Sequence, residues 1–93
     1  MLDVNSYFDG KVKSIGFQGS KLPATVGVMD VGKYTFGTSQ RETMTVVSGQ
    51  MIVQLPDTTE WQTYIAGEYF VVAANTSFDL QVPEQTAYLC TYG

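Results

Sequence analysis

Ser39-Gln40-Arg41-Glu42-Thr43-Met44-Thr45-Val46-Val47-Ser48-Gly49 admits two readings, a helix start or a strand, and the choice decides the fold. Ser39 and Glu42 have the S-x-x-E spacing of a capping box, in which hydroxyl and carboxylate each bond a free amide near the helix start. The residues that follow are wrong for a helix. Thr43, Thr45, Val46 and Val47 are β-branched, so they lose side-chain freedom in a helix and pack well on a pleated surface. Gly49 then stops the segment. A strand over Met44–Ser48, closed by a Ser48-Gly49 turn, is therefore predicted.

The same texture extends in both directions. Segments rich in Val, Ile, Thr, Tyr and Phe run over Lys11–Phe17, Ala24–Met29, Tyr34–Thr38, Gln50–Leu55, Glu60–Ile65, Tyr69–Ala73, Phe78–Val82 and Thr86–Tyr92. Turn formers such as Asp9-Gly10, Gly19-Ser20, Asp30-Val31-Gly32, Pro56-Asp57, Ala66-Gly67 and Pro83-Glu84 separate them. A turn about every 8–12 residues with no long helical period marks a sandwich or barrel. The expected fold is all-β, in one domain over residues 1–93.

Residues two apart share a strand face. Tyr34, Phe36 and Thr38 point one way, and the same parity, if no bulge intervenes, groups Glu42, Met44, Val46 and Ser48. Phe78, Leu80 and Val82 form another face, and Tyr88, Cys90 and Tyr92 a third. Lys13 shares a face with Ile15 and Phe17. A lysine among apolar neighbours either snorkels from an edge or faces a ligand.

The net charge of −4 argues against nucleic acid or an anionic membrane as the main partner, since both need a basic footprint. The five cations, Lys11, Lys13, Lys21, Lys33 and Arg41, nevertheless all lie in the first half, which leaves room for a local anion site. Cys90 is the sole cysteine, and Met1–Asn5 has no basic segment leading into an apolar one, so a cytoplasmic location is expected. A chain this short buries only roughly 60–70% of its unfolded surface, so a homodimer covering exposed strand edges is also expected.

Two spacings carry a resemblance. Glu42 is followed after six residues by Gly49, with Phe36 and Thr38 upstream; Gly67 is followed by Ala73, Asn75 and Phe78. These resemble the two cupin motifs, with Phe36, Thr38 and Phe78 standing where that superfamily has histidines and Ala73 where it has proline. The resemblance implies a cupin-type (RmlC-like) double-stranded β-helix, or jelly-roll barrel. Cupin metal sites typically use three imidazoles and a carboxylate, and this chain has no histidine. Glu42 alone is a poor transition-metal site, so no metal and no organic cofactor are expected.

A closer resemblance covers nearly the whole length. Tyr7–Phe17, Val26–Met29, Tyr34-Thr35-Phe36, Glu42–Gly49 and Tyr88–Tyr92 are similar to the bacterial pyrimidine/purine nucleoside phosphorylases, a metal-free cupin family formerly catalogued as a domain of unknown function. This resemblance implies reversible phosphorolysis of purine and pyrimidine nucleosides to ribose 1-phosphate and free base, with inorganic phosphate as co-substrate. A non-catalytic metal-free cupin binding a sugar or small metabolite is the alternative.

Such chemistry needs an anion holder, groups that grip ribose, and a surface for the base. Lys11, Lys13 and Arg41 are the phosphate candidates, with the hydroxyls of Ser14, Thr38 and Ser39 as neutral donors. Lys13 is the first choice, its apolar face-mates being expected to aim it into the barrel. Glu42 is the natural acceptor for ribose hydroxyls, and its charge suits a cationic sugar ring. For the base, Tyr34, Phe36, Phe78, Tyr88 and Tyr92 are expected to supply an aromatic wall.

Overall fold

In the computed structural model, which describes residues 1–93, every regular element is a strand. In chain order they are β1 (Val4–Tyr7), β2 (Val12–Gln18), β3 (Pro23–Met29), β4 (Gly32–Gly37) and β5 (Glu42–Ser48). β6 (Gln50–Gln54), β7 (Gln62–Ile65), β8 (Tyr69–Val72), β9 (Ser77–Val82) and β10 (Thr86–Tyr92) complete the set. The capping-box reading fails as expected, because β5 begins at Glu42 itself.

Two antiparallel sheets face each other. One has the order β1-β2-β3-β10-β5-β8 and the other β4-β9-β6-β7. Alternation along each strand sends one set of side chains between the sheets, where Val12, Met29, Met44, Val46, Met51, Val53, Phe70, Leu80 and Cys90 join one buried cluster. The architecture is the jelly-roll barrel that the cupin resemblance implied.

β1 is the element that propensity misses. Val-Asn-Ser-Tyr has one β-branched residue, yet the strand pairs along its length with β2, from Val4 opposite Ile15 to Tyr7 opposite Val12. Its conformation comes from that pairing rather than from local preference. The connecting turn is strained. Gly10 N–H donates to the Tyr7 carbonyl at 3.1 Å, and Phe8 and Asp9 both have positive φ, 52° and 58°. Two left-handed central residues make the hairpin turn that Asn-Gly usually fills. A phenylalanine there is an outlier.

Two features correct the parity reading. The β5–β10 register slips at Ala87/Tyr88, where Ser48 opposes Ala87 but Val46 opposes Tyr88. This bulge at Val47 breaks the alternation, so Glu42, Met44 and Val46 face inward while Ser48 is exposed. Lys13 does share a face with Ile15 and Phe17, but that face is the outer one. The inward residues of β2 are Val12 and Ser14. Ile15 and Phe17 misled because apolar side chains also populate the outside of this sheet, beside exposed Val26 and Val28.

Two glycines are required by close approach. A Cβ on Gly27 would lie 2.5 Å from the Tyr88 hydroxyl, so its absence lets the Tyr88 ring lie across β3. Gly49, at φ +91°, turns the chain from one sheet into the other, and a Cβ there would meet Thr86 Oγ1. That threonine hydroxyl is already committed: it accepts from Gln50 N–H and lies 3.0 Å from the Gln50 carbonyl.

Candidate functional site

The cleft is built from β1, the strained turn, β2, β4, β5 and β10. Its volume is about 480 Å³, within the range of small-molecule sites. Tyr7, Phe8, Phe36, Met44, Tyr88 and Tyr92 supply its apolar walls, and Ser14, Thr35, Gly37 and Glu42 the remainder. The polar groups of the lining are therefore hydroxyls and one carboxyl; no lysine or arginine is among its residues.

Glu42 gains its setting from two neighbouring strands. It opens β5, points inward by the parity it shares with Met44 and Val46, and lies opposite Tyr92 of β10. The buried Cys90 thiol donates to Glu42 Oε1 at 3.5 Å. Burial raises the Glu42 pKa above the usual carboxylate value, and the thiol hydrogen bond only partly opposes that. Cys90 itself is pushed up to about 12, first by burial and then by the Glu42 charge. Tyr92 shares a 3.0 Å hydrogen bond with Thr25 Oγ1, and burial raises its phenol as well. Tyr88 is raised to about 12 by burial, with Ser14 close enough to bond its hydroxyl. With their pKa values raised, these phenols and the thiol remain protonated at neutral pH beside the half-buried Glu42 side chain, to which the thiol donates.

The aromatic wall is continuous. Phe8 packs on Tyr34 with centroids 5.0 Å apart and edge-on to Phe36 at 5.4 Å. Phe36 stacks on Phe78 at 5.9 Å, and Phe78 meets Phe70 at 5.8 Å. Rings in such tilted and offset arrangements hold one another in place.

The residues expected from sequence divide into three groups. Glu42, Phe36 and Tyr88 line the cleft, as do Ser14 and Tyr92. Tyr34 and Phe78 stand behind it, both buried; the Tyr34 hydroxyl donates to the Asp30 carbonyl at 2.6 Å, which occupies it structurally. Thr38, Ser39, Arg41 and Lys13 are not in the lining. Thr38 is a clamp: its hydroxyl lies 2.7 Å from the Ala73 carbonyl and accepts from Thr76 N–H at 3.1 Å. Ser39 and Arg41 are exposed beside the start of β5, and Lys13 is on the outer face of β2. Sequence reasoning overlooked Tyr7, Phe8 and Thr35. Tyr7 and Phe8 belong to the strand and turn that lacked a β signal, and Thr35 alternates with the inward pair Tyr34 and Phe36.

No group of three or more His, Cys, Asp or Glu side chains is placed to hold a metal ion.

Known proteins align with the chain over its full length. A solved structure from Vibrio parahaemolyticus, described as a protein of unknown function, superposes with TM-score 0.95 at 49% identity, covering 100% of this chain and 99% of its own. An RmlC-like cupin from Shewanella frigidimarina shares the fold alone, with TM-score 0.77 at 18% identity over 99% of this chain and 83% of its own. The pyrimidine/purine nucleoside phosphorylase of Saccharophagus degradans is 66% identical over 99% of this chain and 98% of its own length. That of Magnetococcus marinus is 66% identical over 100% of both. The family model described as pyrimidine/purine nucleoside phosphorylase matches residues 2–92, and the chain belongs to that family.

Proposed function

We propose that this protein catalyses reversible, metal-independent phosphorolysis of purine and pyrimidine nucleosides in the cleft around Glu42. The observation that carries the reading, beside family membership, is a half-buried carboxylate set among neutral hydroxyls and aromatic rings in a nucleoside-sized cleft. A phosphate oxygen forms the bond to C1′ as the C1′–N bond breaks. The base leaves with the electron pair and takes up the proton that hydrogen phosphate gives up as it becomes the ribose phosphate ester. Positive charge develops on the ribose ring, and the Glu42 carboxylate, raised in energy by desolvation, stabilises it better than the neutral ground state. The same carboxylate accepts hydrogen bonds from ribose hydroxyls. Ser14 offers phosphate a hydroxyl in the cleft, whereas the Thr35 hydroxyl is turned outward and donates to Asp79 at 2.6 Å; Arg41 is the cation adjacent to Glu42 in sequence.

Incubation with uridine or inosine, with and without inorganic phosphate, tests this. Phosphate-dependent release of uracil or hypoxanthine supports it; no release from folded protein overturns it. A lining without lysine or arginine favours the second reading, a non-catalytic binder of a sugar or small metabolite.

The working unit in this proposal is a cytoplasmic homodimer. Its contact is assigned to the outer face of the six-stranded sheet. Val4, Ile15, Val26, Leu89, Thr45 and Tyr69 form one row across all six strands, each opposite the next. Val4, Ile15, Val26 and Tyr69 are exposed. Six strands about 4.8 Å apart make a face roughly 25 Å wide, enough for the ~800 Å² per partner that a stable interface buries. Lys13 is the one charged strand residue on that face.

A further inference from the structure

Phe8 occupies a conformation that its own side chain disfavours. With Phe8 at φ 52°, Asp9 at 58° and Gly10 at 85°, three successive residues are left-handed. Asn or Gly would adopt this turn at lower cost. Strain of this kind persists only where the surroundings over-determine it, and it points to a local task. The surroundings are visible: the ring is held against Tyr34 and Phe36 of the opposite sheet. It nevertheless remains 43% exposed and lines the cleft. Of the other rings in the lining, Tyr7 is 48% exposed but ends the regular strand β1 and packs on no other ring that would hold its face in place. Tyr88 is 4% exposed, and Phe36 already stacks on Phe78.

From this geometry we infer that Phe8 is the stacking platform for the nucleobase and the residue that sets base tolerance. The inference rests on the nucleoside reading of the cleft. A π-face reads no base edge, so one ring in this position accepts purines and pyrimidines alike. The turn strain is what delivers the ring from the edge of one sheet to the mouth between both.

The test compares Phe8→Leu, Phe8→Tyr and Phe8→Asn with the unaltered protein, using uridine and inosine for kinetics and for calorimetric binding, and ribose for binding alone. Phe8→Leu keeps apolar bulk without the π-face, and is expected to raise KM about ten-fold for both nucleosides with kcat within about three-fold. Its ribose affinity is expected to stay unchanged, and Phe8→Tyr to restore nucleoside KM to within about three-fold. Phe8→Asn relieves the backbone, so its thermal midpoint should not fall although its KM rises; that separates lost stacking from lost folding.

Turnover with unchanged KM in Phe8→Leu and Phe8→Asn would overturn the stacking role alone. Weaker nucleoside binding in Phe8→Leu, with no turnover by any form, would retain stacking and overturn phosphorolysis. An unaltered protein that neither binds nor turns over nucleosides overturns both.

Discussion

Glu42 concentrates opposing demands on one side chain. Its pKa is raised by burial, so the folded protein holds the Glu42 proton more tightly than the unfolded chain does. Stability from this group is therefore full below the ordinary carboxylate pKa and is lost as pH rises through the raised value. Glu42→Gln, which cannot ionise, should raise the thermal midpoint at pH 7, and the gain should vanish near pH 4; a scan across that range checks the sign. Catalysis needs the ionised form, so the acid limb of the kcat/KM profile is expected above the usual carboxylate range. Glu42→Gln should lower kcat/KM by about 100-fold or more, whereas Arg41→Gln, outside the lining, should cost under about ten-fold. Cys90 is 1% exposed with its thiol pushed up to about 12. Iodoacetamide at pH 8 should leave it unmodified in the folded protein and alkylate it after denaturation, as mass spectrometry would record.

At the scale of elements, the site depends on how β3 and β10 cross-pack. Ser14 of β2, Gly27 of β3 and Tyr88 of β10 lie in one cross-strand row, with the Tyr88 ring over the glycine. Gly27→Ala places a Cβ 2.5 Å from the Tyr88 hydroxyl, and backbone strain is not involved, since Gly27 is not among the positive-φ glycines. The expected cost is about 1–3 kcal/mol, seen as a thermal midpoint lower by about 4–8 °C per kcal/mol. In a Tyr88→Ala background the same substitution should cost much less, a coupling that a double-mutant cycle measures. Equal costs in both backgrounds would rule out the clash as the cause.

For the whole molecule, two sheets enclose one core and leave the broad outer face of the larger sheet apolar. If a second copy covers that face, Val26→Glu should convert dimer to monomer in sedimentation velocity, because it buries an unpaired charge mid-row. A protein that sediments as a monomer before any substitution would remove the dimer from the proposal. Phosphorolysis that survives EDTA is expected as well, and chelator-sensitive activity restored by added metal would contradict metal independence.

Much was decided by the chain itself. β-Branched runs and regularly spaced turn formers specify strands without tertiary help, since pleat alternation and turn sterics are local. Glu42, Phe36 and Tyr88 could each be grouped with the face-mates they keep in the structure, Met44 and Val46, Tyr34, and Cys90 and Tyr92, because period-two alternation holds along those stretches. Three outcomes required the fold. Val-Asn-Ser-Tyr became β1 only through pairing with β2, which also brought Phe8 to the cleft. Ser48 turned outward because a bulge against β10 broke the alternation. Lys13 turned outward because alternation says which residues share a face but not which face is inside. That choice belongs to the packing of one sheet on the other, and an apolar outer surface removes the usual clue. The strand predicted over Met44–Ser48 stands, extended back to Glu42, and the packing around it brings Glu42, not Ser39, to the lining of the cleft.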